Sequence, residues 1–163
     1  MRTTPVLATL AIVCLGSASP VQAQGVVFRL GGGVVTASEI GLAGLVALEG
    51  RWSGLILRAE GRPIYMPEAG EQGGQAGAAV GLRGPWTAAA GRPYFLATFA
   101  YGADLREGDS ATGVGAVVGS DLNRGLAGVF LELRYEHLSQ EHPYFRIPPD
   151  QVTLLLGFRV GRP

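Results

Sequence analysis

The chain has 163 residues, room for one domain, and its 13 basic and 13 acidic residues leave a formal net charge of +0. Hydrophobic residues make up 47% of it and charged residues 16%, with a mean hydropathy of +0.26, which is apolar beside the ~25% charge of an ordinary soluble domain. Balanced charge without a basic patch excludes nucleic-acid binding, 26 aperiodic glycines exclude a collagen-like repeat, and beyond the N-terminal segment no apolar run approaches the about 20 residues of a membrane helix.

Residues 1–23 read as a secretory signal peptide. Arg2 supplies the positive start, and Val6 to Leu15 is an apolar run too short to span a bilayer. Val21-Gln22-Ala23 places a small residue where cleavage is expected, after Ala23. Cys14 is the only cysteine and follows Val13, so it reads as part of the discarded leader and not as a lipid anchor. The mature chain, 24–163, then has no thiol for a disulfide, a nucleophile or a metal.

From Gly25 onward the apolar residues recur with period two. The first strand is expected over Val26 to Val35, with Val26, Phe28 and Leu30 on one face and Arg29 opposite. The second, Leu42 to Trp52, sets Leu42, Val46, Leu48 and Trp52 against Glu49 and Arg51; Ser53-Gly54 turns the chain. The third, Leu55 to Tyr65, sets Leu55, Leu57 and Ala59 against Arg58, Glu60 and Arg62. A loop from Pro67 to Gln75 precedes the fourth strand, Ala76 to Arg83, and a turn over Gly84 to Gly91 precedes the fifth, Arg92 to Tyr101. Gly102 to Ala111 reads as a polar loop, Thr112 to Ser120 as the sixth strand, and Asp121 to Gly125 as a turn. The seventh strand, Leu126 to His137, sets Val129, Leu131, Leu133 and Tyr135 against Glu132, Arg134 and Glu136. After a loop over Leu138 to Asp150, the eighth, Gln151 to Val160, sets five aliphatic or aromatic residues against Thr153 and Arg159.

Eight such strands predict an all-β fold, an eight-stranded antiparallel up-and-down transmembrane β-barrel. The strand charges share one face: Glu49, Arg51, Arg58, Glu60, Arg62, Arg83, Glu132, Arg134, Glu136 and Arg159. Placed in the lumen, opposite signs pair in a confined space and leave Leu, Val, Ala and Phe to the lipid. The loops at 67–75, 102–111 and 138–150 are long and the turns at 53–54 and 121–125 short, as a barrel with short periplasmic turns requires. Trp52 and Trp86 fall near one set of strand ends and Tyr65, Tyr101 and Tyr135 near the other, as two aromatic girdles would. The opposing possibility is a soluble periplasmic lipocalin-like barrel, with the charges outward and the aliphatic face lining a ligand cavity.

Gly91-Arg92-Pro93-Tyr94-Phe95-Leu96-Ala97 resembles the fifth strand of small outer-membrane β-barrel domain proteins, the group of outer-membrane proteins A and X. Leu131-Glu132-Leu133-Arg134-Tyr135-Glu136-His137 and Val152 to Arg159 are similar to that group's last two strands. The resemblance implies residence in the outer membrane of a Gram-negative-type bacterium. The expected partners are outer-membrane lipid, lipopolysaccharide and the barrel assembly machinery, with the barrel a monomer. Members of the group end in an aromatic residue read during assembly; here Phe158 is the residue expected to serve, followed by Arg159-Val160-Gly161-Arg162-Pro163.

Little else in the sequence points to chemistry. The two histidines, His137 and His142, make no metal-ligand pattern, and a phosphate loop is excluded because the chain has no Lys. No metal and no cofactor are expected. One segment stands apart: His137-Leu138-Ser139 is similar to the His-x-Ser motif of lipid A 3-O-deacylases, also eight-stranded barrels. That resemblance implies a His137 base, a Ser139 nucleophile and an acid at the next strand, for which Asp150 is the nearest candidate. The family continues with Asn and a Pro-Gly loop and carries a Glu slightly later, whereas this chain has Gln140-Glu141-His142-Pro143 and Gln151. The function expected first is therefore a structural or surface-contact outer-membrane barrel without chemistry. The alternatives are a lipid A deacylase-like esterase and the soluble ligand-binding barrel.

Overall fold

The computed structural model describes residues 25–36, 40–67, 71–87, 91–104, 110–139 and 149–161. They form eight strands: β1 (Gly25–Thr36), β2 (Ile40–Trp52), β3 (Leu55–Met66), β4 (Glu71–Arg83), β5 (Arg92–Asp104), β6 (Ser110–Asp121), β7 (Ala127–Ser139) and β8 (Asp150–Gly161). Each pairs antiparallel with its neighbours in sequence, and β1 pairs with β8 from Val27↔Gly161 to Thr36↔Val152, so the sheet closes into a barrel. Closure satisfies every ladder and leaves no edge. We call the end that holds the start of β1 and the end of β8 proximal, and the other end distal.

Period-two alternation in the sequence becomes alternation in burial. Along β7 the pattern is unbroken from Leu131 outward-facing and Glu132 buried to Leu138 buried and Ser139 exposed. The outward face carries aliphatic or aromatic residues on every strand, with Phe158 and Ile40 the most exposed at 70% and 67%. The inward face carries Arg29, Glu49, Arg51, Arg58, Arg62, Glu132, Arg134, Glu136 and Arg159, all buried. The soluble-barrel expectation requires the reverse, and the structure corrects it: the aliphatic face lines no cavity.

The turn at 53–54 has positive φ at both central residues, 41° at Ser53 and 104° at Gly54, the requirement of a two-residue type I′ hairpin turn. Lumen glycines make room for large neighbours. A Cβ at Gly119 would lie 2.5 Å from the Tyr94 ring, and one at Gly128 would lie 2.9 Å from the Arg159 guanidinium carbon.

Several strands run further than the sequence pattern indicates. β4 begins at Glu71, pairing with Met66, so most of the expected loop 67–75 is sheet. β5 and β6 pair to Ala103↔Ser110, which cuts the expected loop 102–111 to 105–109. β7 and β8 pair to His137↔Asp150, and β7 extends to Ser139. Gly73 and Gly74 lack side chains to alternate, yet their backbones pair with Ile64 and Pro63 on one side and Asp104 and Ala103 on the other. The contrast in loop length thereby narrows. Among the distal connections only 140–149 is long, and the proximal connection 84–91 exceeds the distal 37–39. The leader expected over 1–23, Cys14 and His142 lie outside the described residues.

The lumen is layered. At the distal end Val35, Ala43, Ile64, Met66, Ala111 and Leu138 are buried and apolar. Below them, through the middle to the proximal end, lie the ionic side chains, with Tyr94, Leu96, Val117 and Phe130 packed among them.

Candidate functional site

Two places concentrate polar side chains: the lumen and one sector of the distal rim. In the lumen, Glu49 is the hub. Its Oε1 accepts from Arg29 Nε at 2.6 Å and from Arg58 Nη2 and Nε at 2.5 and 2.8 Å, and its Oε2 accepts from Arg51 Nη2 and Nε at 2.7 and 3.0 Å. Arg29 reaches further, donating to Asp121 Oδ1 at 2.7 Å and Tyr94 Oη at 3.0 Å. Its guanidinium also stacks 4.8 and 4.6 Å from the Tyr94 and Phe130 ring centres. Tyr94 passes the chain on, donating to Glu132 Oε1 at 2.7 Å, and Arg58 Nη2 meets the same oxygen at 2.8 Å.

A second group lies toward the distal end. Arg134 pairs with Glu60 and stands 3.3 Å from Glu132. Arg62 donates to both Gln75 and Glu136, and Gln75 Nε2 donates to Gln151 Oε1 at 3.1 Å. Strand parity brings these groups inward, and the register brings them level; Glu49↔Arg58 are directly opposed. Buried charges at this density are tolerable only when paired and hydrogen-bonded.

The sequence-derived lumen list is thus brought together, with one correction. Arg83 sits half-buried at the proximal mouth, and its Nε and Nη1 find no hydrogen-bond partner among the described residues. Three members were missed. Arg29 lies opposite Val26 and Phe28 by the same parity that selected the others, so the pattern already contained it. Asp121 reads as a turn residue because the strand signal fades at Ser120, whereas it ends β6 with its side chain buried. Tyr94 sits in a strand that reads as apolar on both faces, where only the register reveals which face is inside.

At the distal rim, His137 precedes Ser139 at the end of the outward row of β7 and stands opposite Asp150 at the start of β8. His137 Nδ1 and Asp150 Oδ1 are 2.9 Å apart, and Tyr135 Oη donates to the same oxygen at 2.8 Å. Both His137 and Asp150 are more than half exposed, at 54% and 62% of their side chains. Ser139 turns to the other flank of β7. Its Oγ donates to the Thr112 carbonyl of β6 at 2.9 Å and lies 3.2 Å from Thr112 Oγ1. The acid and the histidine of the expected triad therefore meet, whereas the serine hydroxyl is engaged with β6. Among the described residues no group of His, Cys, Asp and Glu is arranged to hold a metal.

The aromatic residues take the expected ends. Tyr65, Tyr101 and Tyr135 face outward near the distal end. Trp52 and Trp86 are half-buried at the proximal end, where the Trp86 ring lies 5.4 Å from the Arg124 guanidinium.

Comparison with known proteins gives a fold and no family. No family model matches the chain. No curated protein matches it either. Among solved structures it is similar to Neisserial surface protein A, with a TM-score of 0.65 and 14% identity over 83% of this chain and 95% of that one.

Proposed function

We propose that the protein is an integral outer-membrane β-barrel with a filled lumen, and that its role is structural or one of surface contact made from the distal rim. One observation carries this: an aliphatic and aromatic belt faces outward on every strand while the strand charges pair inside. Only lipid makes that arrangement favourable, because the exposed apolar belt would otherwise meet water. The strand lengths agree. Strands of 12 or 13 residues at ~3.3 Å per residue, tilted by ~45°, rise through roughly 28–30 Å, enough for the ~25 Å apolar band of such barrels. The likeness to a barrel named as a surface protein supports the same reading. Export through a leader cleaved after Ala23 belongs to this proposal.

The test is the cold and boiled gel mobility of outer-membrane fractions, followed by planar-bilayer recording. The reading expects a heat-modifiable band in the membrane fraction and no discrete conductance, since side chains fill the lumen. A soluble periplasmic product overturns the membrane reading, and unitary ion steps overturn the filled lumen. A second reading, an esterase acting on lipid A, is favoured by the His137–Asp150 contact and opposed by the engagement of Ser139 with Thr112. It requires that purified protein release a 3-hydroxy fatty acid from lipid A and that His137→Ala abolish the release; intact lipid A after prolonged incubation removes it.

A further inference from the structure

The lumen charges balance at one end and not at the other. Toward the distal end Arg62 and Arg134 meet Glu60 and Glu136. Toward the proximal end, among the described residues, the guanidinium groups of Arg29, Arg51, Arg58, Arg83, Arg92 and Arg159 share the carboxylates of Glu49, Asp121 and Glu132, and the two groups are linked where Arg58 stands 3.5 Å from Glu60 and Glu132 3.3 Å from Arg134. Asp121 alone is shared by Arg29 at 2.7 Å, Arg51 at 3.2 Å and Arg159 at 3.4 Å. Arg92 stands opposite it across the β5–β6 pair, and Arg83 is an electrostatic neighbour of both Arg92 and Arg51.

Among the described residues, nitrogen donors without a hydrogen-bond partner occur along the whole lumen, on Arg58, Arg62, Arg134 and Arg159 as elsewhere. Those belonging to the proximal surplus and facing few carboxylates are Nη1 of Arg51, which is 1% exposed, and Nε and Nη1 of Arg83. A buried guanidinium nitrogen without an acceptor is costly, and native structures rarely keep one without a ligand, ion or water to receive it. The fork of a guanidinium is suited to planar or tetrahedral oxyanions. Access is one-sided, because apolar Val35, Ala43, Ile64, Met66 and Leu138 fill the distal end.

We propose that the proximal mouth of the lumen is a binding site for a phosphate-type oxyanion, held by Arg51 and Arg83 with Arg92 as a further cation. The site serves a free phosphate or the phosphate of a lipid headgroup equally by its chemistry. It rests on the lumen charges and not on the membrane reading.

The experiment titrates the refolded full-length barrel in non-ionic detergent with inorganic phosphate, against chloride at equal ionic strength. Thermal unfolding and the phosphorus resonance of the titrant are followed together. Arg83→Gln is the decisive variant, because Arg83 is not an ion-pair partner of the Glu49 hub. Arg124→Gln, exposed outside the lumen, is the control. A parallel arm replaces free phosphate by vesicles with and without a phosphomonoester lipid. The expected result is a phosphate-specific rise in melting temperature, saturable, with affinity roughly ten- to a hundredfold weaker in Arg83→Gln, unchanged in Arg124→Gln and partly restored in Arg83→Lys. A response confined to the lipid arm and lost in Arg83→Gln supports the same site with a headgroup source. An equal response to chloride, no response in either arm, or a response that Arg83→Gln leaves intact overturns the proposal.

Discussion

Glu49→Gln is the sharpest perturbation of the lumen. The carboxylate is fully buried and accepts five hydrogen bonds from Arg29, Arg51 and Arg58. Gln keeps the shape, removes the charge and turns an amide donor toward guanidinium donors. The arginines are not stranded completely. Arg29 and Arg51 keep Asp121 at 2.7 and 3.2 Å, and Arg58 keeps Glu132 at 2.8 Å. The loss is therefore set by breaking one buried partner of a network, about 3–5 kcal/mol, and not by five separate bonds. The assay is equilibrium urea unfolding in detergent micelles, followed by the fluorescence of Trp52 and Trp86 and by cold gel mobility. The midpoint should fall with the slope unchanged. Arg58→Gln completes a double-mutant cycle, and the double variant should lose less than the two singles added together, by roughly 0.5–3 kcal/mol. A Glu49→Gln barrel within about 1 kcal/mol of the parent, or strictly additive singles, refutes the claim that this network holds the lumen.

Three further outcomes follow from the same coordinates. Leu133 faces outward at the middle of β7, 52% exposed; Leu133→Arg should cost ~2–4 kcal/mol when the barrel folds into vesicles, and a cost under about 0.5 kcal/mol, ordinary for a water-exposed site, would contradict the lipid belt. At Gly33 an added Cβ would lie 1.8 Å from the Leu154 carbonyl oxygen, so Gly33→Ala should force the β1–β8 seam apart and lower the temperature at which the cold band is lost. At Gly61 a Cβ would meet nothing within 4 Å, and Gly61→Ala should be neutral or stabilising by up to about 1 kcal/mol, measured by the same gel shift.

The order and faces of the strands were legible because period-two alternation is a local signal that burial then enforces. Along β7 every residue from Leu131 to Ser139 takes the face its parity indicates. What alternation alone cannot state is which face is inside, and there the charges decided: Glu132, Arg134 and Glu136 share a face that lipid would reject. The strand ends were less legible. Gly73 and Gly74 carry no side chain to alternate, so the start of β4 read as loop although its backbone pairs fully. Asp121 read as a turn residue for the related reason that a polar side chain at a strand end resembles a turn. It is instead the buried carboxylate that Arg29, Arg51 and Arg159 share. Arg83 shows the converse: correct parity placed it inward, but its position at the last residue of β4 set it at the mouth, beyond the carboxylates that pair with the others.

These strand ends bear on where the barrel meets its surroundings. The longer strands shorten all three expected outer loops, 140–149 the least, so part of the expected outer loops has become wall. The outward belt is aliphatic and aromatic, with Phe28, Phe95, Phe99 and Phe158 among its aliphatic residues. Among the described residues, polar side chains outside the lumen are linked by hydrogen bonds in one distal sector: Tyr135, His137 and Asp150 on the β7–β8 flank, Thr112 and Ser139 on the β6–β7 flank. That sector borders the one long distal connection, because 140–149 joins β7 to β8. The two proposed roles, surface contact and hydrolysis, thus fall on the same place. They differ in one hydrogen bond, since hydrolysis requires Ser139 to leave the Thr112 carbonyl for His137, whereas contact requires no such movement. Replacing Thr112 removes only the side-chain hydroxyl at 3.2 Å and leaves the carbonyl in place. An esterase activity that survives Thr112→Ala but is lost in both His137→Ala and Ser139→Ala would therefore show that the serine acts with this histidine, and an activity that Ser139→Ala leaves intact would remove the serine from the reading.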